Sequence, residues 1–129
     1  MKPSAAGPSQ RQLRAGELIR HALADIFLRG ETGDPEVEKL GISVLEVQMS
    51  PDLKIATAYV RSLIVGSDGK MLEALNRHRK YIRGLVAKRV QMKFMPEVRF
   101  RVDTALDYAG KIDELLHRPE VARDLKKGE

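Results

Sequence analysis

Residues 77–101 read RHRKYIRGLVAKRVQMKFMPEVRFR and hold most of the positive charge of the chain. The stretch has nine Lys or Arg and one acid, Glu97, so its net charge is +8 (nine minus one), whereas the whole chain sums to +5. Everything outside it therefore sums to −3. Its apolar residues follow helical spacing first and, after Pro96, the alternation of a strand. The stretch predicts a helix leading into a strand, both with cationic outer faces that suit a polyanionic partner.

The composition predicts a single domain with tails, because 129 residues that are 43% hydrophobic can bury one modest core. The basic charge favours nucleic acid over an anionic membrane surface as partner, and no apolar run approaches the ~20 residues of a membrane span. The opening MKPSAAGPSQRQ lacks the apolar core of a secretory signal, and the absence of cysteine excludes disulfides and thiolate chemistry. Together these features are compatible with a reducing cytoplasm and make a membrane the weaker case as partner.

A first helix is predicted over residues 10–28, where apolar side chains recur at helical spacing. Ser9 and Gln12 have the spacing of a capping box at its start. The next segment, ETGDPEVEKLG at 31–41, is acidic and rich in turn formers, so it predicts a connector without regular structure.

An antiparallel hairpin is predicted from two runs of period-two alternation, over 42–49 and 54–63, on either side of a turn at 50–53. One face of the first run is apolar and consists of Leu45, Val47 and Met49. In the second run Ala56 and Ala58 are small, which predicts that a helix packs closely over them.

The helical pattern after the hairpin is interrupted at residues 76–80, NRHRK, which include no apolar side chain. Either one long helix carries a polar girdle there, or two helices meet at a kink, and the pattern alone leaves both open. Gly84 lies among the cations of the second part. It either lets a phosphate backbone approach closely or simply faces water.

A third strand is predicted at 97–103, EVRFRVD, where apolar residues alternate with arginines. The inward residues are Val98, Phe100 and Val102, and the outward ones are Arg99 and Arg101. Residues 105–116 predict a short final helix. The expected domain spans 9–116, between a disordered tail at 1–8 and a flexible charged tail at 117–129.

The order helix, strand, strand, helix (kinked or double), strand, short helix predicts an α+β fold with helices on one face of a three-stranded sheet. This is the arrangement of a type II, or bacterial-type, KH domain, which binds single-stranded nucleic acid through a GXXG loop on its phosphates. No GXXG stands where the two predicted helices would meet, and residues 76–80 occupy that place.

Four stretches resemble the ribosome-binding factor A family over roughly residues 9–116: RQLRAGELIRHALADIF, ISVLEVQMSPDLKIATAYV, YIRGLVAKRVQMKFMPEVRF and VDTALDYAGKIDELL. The MSPDL turn and the MPEVRF approach to the last strand are fairly specific to that family. The resemblance implies a KH-like, cytoplasmic, non-enzymatic assembly factor, monomeric and without cofactor, metal or small-molecule substrate. Its implied partner is the free small (30S) ribosomal subunit, near the 5′ region of its 16S rRNA, during late precursor maturation, with a role in growth in the cold.

The chain departs from this resemblance at the kink between the two helices. Family members form that kink with Ala-x-Gly, and the motif falls here on His78-Arg79-Lys80, where both small residues are missing. Because small residues ease a sharp turn, the backbone is expected to turn differently, while the added cations retain a phosphate-binding surface.

The predicted RNA-binding residues surround this kink, and two more lie in the first turn of the first helix. They are Arg77, His78, Arg79, Lys80, Arg83, Gly84, Lys88, Arg11 and Arg14. Contact with phosphates is expected to dominate, which makes binding strongly dependent on salt. Tyr81 is the candidate for base stacking, with a half-buried position on the helix flank as the alternative.

Two other functions stay open at this stage. A protein-interaction module would dock an acidic partner through the same basic face, although runs of charge are commonly just solvated surface. A small enzyme would need a cluster of titratable groups. The three histidines (His21, His78 and His117) are far apart, and no nucleotide-binding or hydrolase motif occurs, so neither a catalytic nor a metal site is predicted.

Overall fold

The computed structural model describes residues 7–103, and their elements follow the predicted order with one additional helix. The elements are α1 (Gln10–Leu28), α2 (Pro35–Leu40), β1 (Ile42–Met49), β2 (Ile55–Ser62), α3 (Asp68–Arg77), α4 (Arg79–Arg89) and β3 (Glu97–Val102). The helix predicted at 105–116, the tail at 117–129 and residues 1–6 of the other tail lie outside the described residues.

Within residues 7–103 the three strands form one sheet in the order β1-β2-β3. Strands β1 and β2 pair antiparallel as a hairpin, whereas β2 and β3 pair parallel, with Ala58 opposite Phe100. A parallel pair needs a crossover, and α3 and α4 supply it. Helix α1 packs over β1, and α3 and α4 pack against β3. The predicted α+β, KH-like architecture is confirmed, and it places β3 at the edge of the sheet next to the α3–α4 junction.

The core lies between the helices and one face of the sheet. Ala56, Ala58 and Val60 of β2 have no exposed surface. Helix α1 approaches β1 closely, since a Cβ added to Gly16 would lie 2.5 Å from the carbonyl oxygen of Val47. The Gln12 side chain also donates a hydrogen bond to the carbonyl of Met49 at 2.9 Å. These contacts fix the helix layer on the sheet.

Helix α2 corrects the prediction of an irregular connector at 31–41. Asp34 is its N-cap and accepts a hydrogen bond from the Glu36 backbone N–H at 2.9 Å, and Pro35 takes the first helical position. Gly41 ends it in the left-handed conformation, with φ of +62°. Asp-Pro and Gly are turn signals, but they are also the start and stop signals of a short helix, and the second meaning applies here.

The predicted inward face of β1 is wrong at Leu45. The pairing of β1 with β2 shifts between Val44 and Glu46, so one residue is inserted as a β-bulge. Val44 is consequently buried, whereas Leu45 is 43% exposed. Val47 and Met49, which follow the bulge, face the core as predicted.

The interrupted helical pattern corresponds to two helices. Helix α3 ends at Arg77 and α4 begins at Arg79, with His78 between them at φ −103° and ψ 12°. The His78 N–H is shared between the carbonyls of Ala74 and Leu75, and its own carbonyl accepts from the Ile82 N–H at 2.8 Å. The backbone thus turns at a non-glycine residue without losing its hydrogen bonds.

Candidate nucleic-acid interface

A groove lies where the α3–α4 junction faces the edge strand β3. It consists of two adjoining depressions that share Arg79. The first is lined by Arg79, Lys80, Arg83, Glu97 and Val98. The second is lined by Tyr59, Leu72, Asn76, Arg79, Arg99, Phe100, Arg101 and Val102. We call the two together the junction groove.

The junction groove is strongly cationic. Five of its side chains are Lys or Arg (Arg79, Lys80, Arg83, Arg99 and Arg101) and one is acidic, Glu97. Arg99 donates to the Glu97 carboxylate at 3.1 Å, and this bond, together with the charges of Arg99, Arg79 and Arg83, lowers the pKa of Glu97. Glu97 therefore stays ionised and offsets one of the five positive charges.

Three of the five cations are available to a ligand. Between residues 7 and 103, the side chains of Arg79, Lys80 and Arg101 have neither a hydrogen bond nor an ion pair. Arg79 is half-buried, whereas Lys80 and Arg101 are exposed. Free guanidinium and ammonium groups that converge on a groove beside exposed backbone are suited to consecutive phosphates of a single strand.

Arg83 lines the groove but also holds the structure together. Its Nε donates to the carbonyl of Pro96 at 2.9 Å, and its Nη2 donates to the carbonyl of Met95 at 2.7 Å. These bonds attach the segment before β3 to helix α4. Neutral carbonyls do not cancel the guanidinium charge, so Arg83 still contributes positive potential to the groove.

Arg77 and His78 face the acidic helix α2 instead of the junction groove. His78 Nε2 lies 2.7 Å from the Asp34 carboxylate, and Arg77 donates to Glu36 at 3.0 Å. The His78 contact is the main reason that the pKa of Asp34 is lowered, and the Glu36 N–H adds to it. The side chain that replaces the family's small residue is therefore anchored at the turn by its contact with Asp34.

The remaining predicted site residues are spread over three places. Gly84 and Lys88 follow Lys80 at intervals of four along the exposed face of α4, and a Cβ at Gly84 would meet no atom within 4 Å. Arg11 lines a separate cavity near the N-terminus of α1. Arg14 is exposed on the same helix.

Sequence reasoning missed part of the groove. Arg99 and Arg101 are predicted to point outward without being assigned to the site, and Asn76 belongs to the polar girdle but not to the predicted RNA-binding residues; all three line the junction groove. Tyr81 is 55% exposed and lines none of the depressions described here. The signal for Arg99 and Arg101 was their alternation along a strand, and only the sheet order shows that this strand is an edge.

The two G-x-x-G sequences of the chain, at 30–33 and 66–69, lie away from the junction. The first follows the end of α1, and the second overlaps the start of α3, at the opposite end of that helix from His78. Neither takes the place of the phosphate-binding loop of a KH domain.

Neither a metal-binding cluster nor a membrane-spanning helix is found in the part of the chain that the structure describes. No group of three or more His, Asp or Glu side chains within residues 7–103 has the proximity needed for a metal ion. None of the described helices combines the length and apolar character required to cross a bilayer.

Comparison with known proteins gives a consistent result. The family described as ribosome-binding factor A matches residues 11–116. A relative named ribosome-binding factor A from Rhizobium etli is 55% identical over 125 residues, which are 96% of this chain and 93% of the relative. The crystal structure of ribosome-binding factor A from Thermus thermophilus is similar in fold, with a TM-score of 0.59, 24% identity, and coverage of 70% of this chain and 94% of that one.

A further similar structure is a homology model of the Thermus thermophilus factor that was fitted into the cryo-EM map of its complex with the 30S subunit. It has a TM-score of 0.54 and 28% identity, and it covers 67% of this chain and 89% of that one.

Proposed function

The chain belongs to the ribosome-binding factor A family, and we propose that it is a non-enzymatic assembly factor that binds the free small ribosomal subunit. On this proposal the domain at 9–116 acts in the cytoplasm as a monomer, without a cofactor, a metal or a small-molecule substrate. It binds near the 5′ region of the 16S rRNA and supports late maturation of that end, with a role in growth in the cold.

The observation that carries the proposal is the set of free cations in the junction groove. A KH-like fold binds a single strand along a groove between a helix junction and the sheet. Here Arg79, Lys80 and Arg101 converge on that place without a partner among residues 7–103. The Thermus thermophilus factor fitted into a 30S complex supports the same type of partner.

We propose that RNA phosphates are bound by the predicted residues that are free of acidic partners, and by two that the structure adds. The first group comprises Arg79, Lys80, Arg83, Gly84 and Lys88, and the additions are Arg99 and Arg101. Arg11 and Arg14, both exposed near the start of α1, would make a separate contact with the RNA. Arg77 and His78 contribute through the turn that they stabilise, because their side chains are engaged by Glu36 and Asp34.

A charge reversal in the groove tests this proposal. Lys80→Glu places a negative charge among the groove cations, so we expect weaker association with purified small subunits at every salt concentration. The slope of log affinity against log salt should fall by about one, because one phosphate contact is lost. Association is measured by co-sedimentation over a series of salt concentrations, beside a thermal unfolding curve.

Lys70→Glu is the matched control, since Lys70 is also exposed but lies about 12 Å further along α3 from the junction. Equal effects of the two reversals would refute the groove as the contact surface. Wild-type protein that never co-sediments with free small subunits at low salt would refute the function itself. Capture of a protein component without rRNA would favour the acidic-partner alternative.

A further inference from the structure

A second cavity, of about 450 Å³, adjoins the segment that Arg83 attaches to α4. It is formed by three separate parts of the chain: the first turn of α1, the β1–β2 turn and the segment between α4 and β3. Its lining consists of Arg11, Asp52, Leu53, Lys54, Met92, Lys93, Phe94, Met95 and Pro96. Two of the stretches that resemble the family most specifically, MSPDL and MPEVRF, therefore meet at this cavity.

Phe94 is the notable residue of this lining, because its ring is 76% exposed while its neighbours Met92 and Met95 pack against the core. The Lys93 ammonium lies 5.6 Å from the centre of the ring. The core does not need Phe94, so its ring is an aromatic surface available to a ligand. Aromatic rings beside cations are the usual stacking platforms for unpaired bases.

The β1–β2 turn is built so that Leu53 and Lys54 face this cavity. Leu53 has φ of +60°, a left-handed conformation that residues with a side chain rarely adopt. Hydrogen bonds impose it: Leu53 N–H donates to the Ser50 carbonyl at 2.9 Å, and Ser50 Oγ accepts from the Lys54 and Ile55 N–H groups at 3.1 and 3.0 Å. An unfavourable backbone angle retained by a network of this kind is typical of functional sites.

The charges of the cavity favour an anion. Three cations line it, Arg11, Lys54 and Lys93, against one carboxylate, Asp52. That carboxylate is engaged within the turn, where it accepts from Ser50 Oγ at 2.6 Å and from the Lys54 N–H at 3.1 Å. The Ser50 bond is the main reason that the pKa of Asp52 is lowered.

We propose that this cavity is a second RNA site, which accepts one unpaired base stacked on Phe94 while Arg11, Lys54 and Lys93 hold the adjacent phosphates. The proposal rests on the proposed function, since it assigns a further contact to the same RNA. The apolar part of the lining suits the base of a nucleotide, and the three cations beside it suit the phosphates of the backbone.

Arg83 lies between the junction groove and this cavity. Its guanidinium lines the groove and donates to the carbonyls of Met95 and Pro96, which line the cavity. We expect a strand that leaves the groove past Glu97 to reach Phe94, since cations outnumber acids in the lining of both depressions.

Two fluorescent oligonucleotides of equal length test the site with the full chain: an oligoadenylate, and the same strand with abasic residues in the middle. Both have the same phosphates, so only stacking distinguishes them. We expect wild-type protein to bind the oligoadenylate more tightly by roughly 5- to 150-fold, the range for one base on an aromatic ring. Phe94→Ala should remove this preference, and Phe94→Tyr should restore it.

Phe94→Ala should leave the salt dependence of oligoadenylate binding unchanged, whereas Lys93→Ala should reduce its slope by about 0.7, the value for one phosphate of a single strand. Val65→Ala, at a residue that is 97% exposed and distant from the cavity lining, is the control. A wild-type protein that binds both strands equally, or a preference that survives in Phe94→Ala, would overturn the proposal.

The occupant is identified by a photo-cross-linking amino acid at position 94 in complexes with purified small subunits. A cross-link to rRNA supports the proposal, and a cross-link only to a ribosomal protein or to another part of this chain overturns it. The proposed function is judged separately by co-sedimentation. Subunit binding without any base preference would refute the cavity alone, whereas base preference without subunit binding would refute the function alone.

Discussion

Arg83 supplies positive charge to the junction groove and also fastens the segment before β3, so its substitution affects two properties at once. Arg83→Gln removes the charge and two donors to the Met95 and Pro96 carbonyls. We expect the free energy of unfolding to fall by about 1 kcal/mol, because each bond contributes about 0.5–1.5 kcal/mol and the side chain is exposed. Denaturant unfolding measures this, and co-sedimentation measures the loss of binding.

Lys80→Gln separates the two effects, since Lys80 has no hydrogen bond within residues 7–103. It should weaken binding while the unfolding free energy stays within about 0.5 kcal/mol of wild type. If Arg83→Gln is as stable as wild type, the two hydrogen bonds to the Met95 and Pro96 carbonyls make no net contribution to the free energy of unfolding. A double variant with both Lys80 and Arg83 substituted would lose stability as well as RNA contact, so its binding would not report on RNA contact alone.

Individual side-chain roles were the least predictable part of the site. The sequence located the cations, but which of them remain free depends on partners that are distant along the chain. Arg77 and Glu36 are 41 residues apart, His78 and Asp34 are 44 apart, and Arg89 pairs with Asp25 across 64. Periodicity and local charge hold no information on such pairs. Phe94 was overlooked because an aromatic residue beside a strand ordinarily belongs to the core.

Gly16 and Gly84 both lie inside a helix, but replacing each with alanine should change the free energy of unfolding in opposite directions. Gly16→Ala should destabilise the fold by about 1–3 kcal/mol, because the new Cβ would lie 2.5 Å from the Val47 carbonyl oxygen, which the sheet holds in place. Gly84→Ala should stabilise it by up to about 1 kcal/mol, because that Cβ meets no atom within 4 Å. Denaturant unfolding compares both with wild type.

Gly84→Ala also tests the predicted phosphate approach at Gly84. A more stable variant with weaker subunit association would support that approach. Higher stability with unchanged association would mean that Gly84 only faces water. A stabilised Gly16→Ala would contradict the close packing of α1 on β1.

Elements that depend on local signals were predicted well. The helix at Gln10–Leu28 has the predicted bounds and the predicted capping box, in which Gln12 N–H donates to Ser9 Oγ at 3.1 Å and Ser9 N–H donates to Gln12 at 2.8 Å. The hairpin and β3 follow from their alternation. The bulge at Leu45 could not be predicted, because alternation in one strand does not reveal how its partner pairs. Helix α2 has only six residues, too few for a helical periodicity to be visible.

In the molecule as a whole, opposite charges are separated across the α3–α4 pair. Asp25, Glu31, Asp34 and Glu36 lie on the side of α1 and α2, where they engage Arg89, His78 and Arg77. The other side, with the junction groove, retains cations without partners among residues 7–103. The acidic side chains therefore pair with cations on the α1 and α2 side, while the cations of the junction groove, on the other side, stay exposed.

This separation predicts that removing one acidic side chain strengthens RNA binding. Glu36→Gln raises the net charge from +5 to +6 and releases Arg77 from its partner at 3.0 Å. If Arg77 then reaches a phosphate, affinity for small subunits should rise and the slope of log affinity against log salt should steepen by about 0.7–0.9.

Glu46→Gln makes the same charge change on β1, at the opposite edge of the sheet from β3, and serves as the control. Parallel gains in both variants would indicate only a long-range effect of net charge. A gain confined to Glu36→Gln would place Arg77 at the RNA surface, whereas no gain in either would restrict Arg77 to stabilising the turn between α3 and α4.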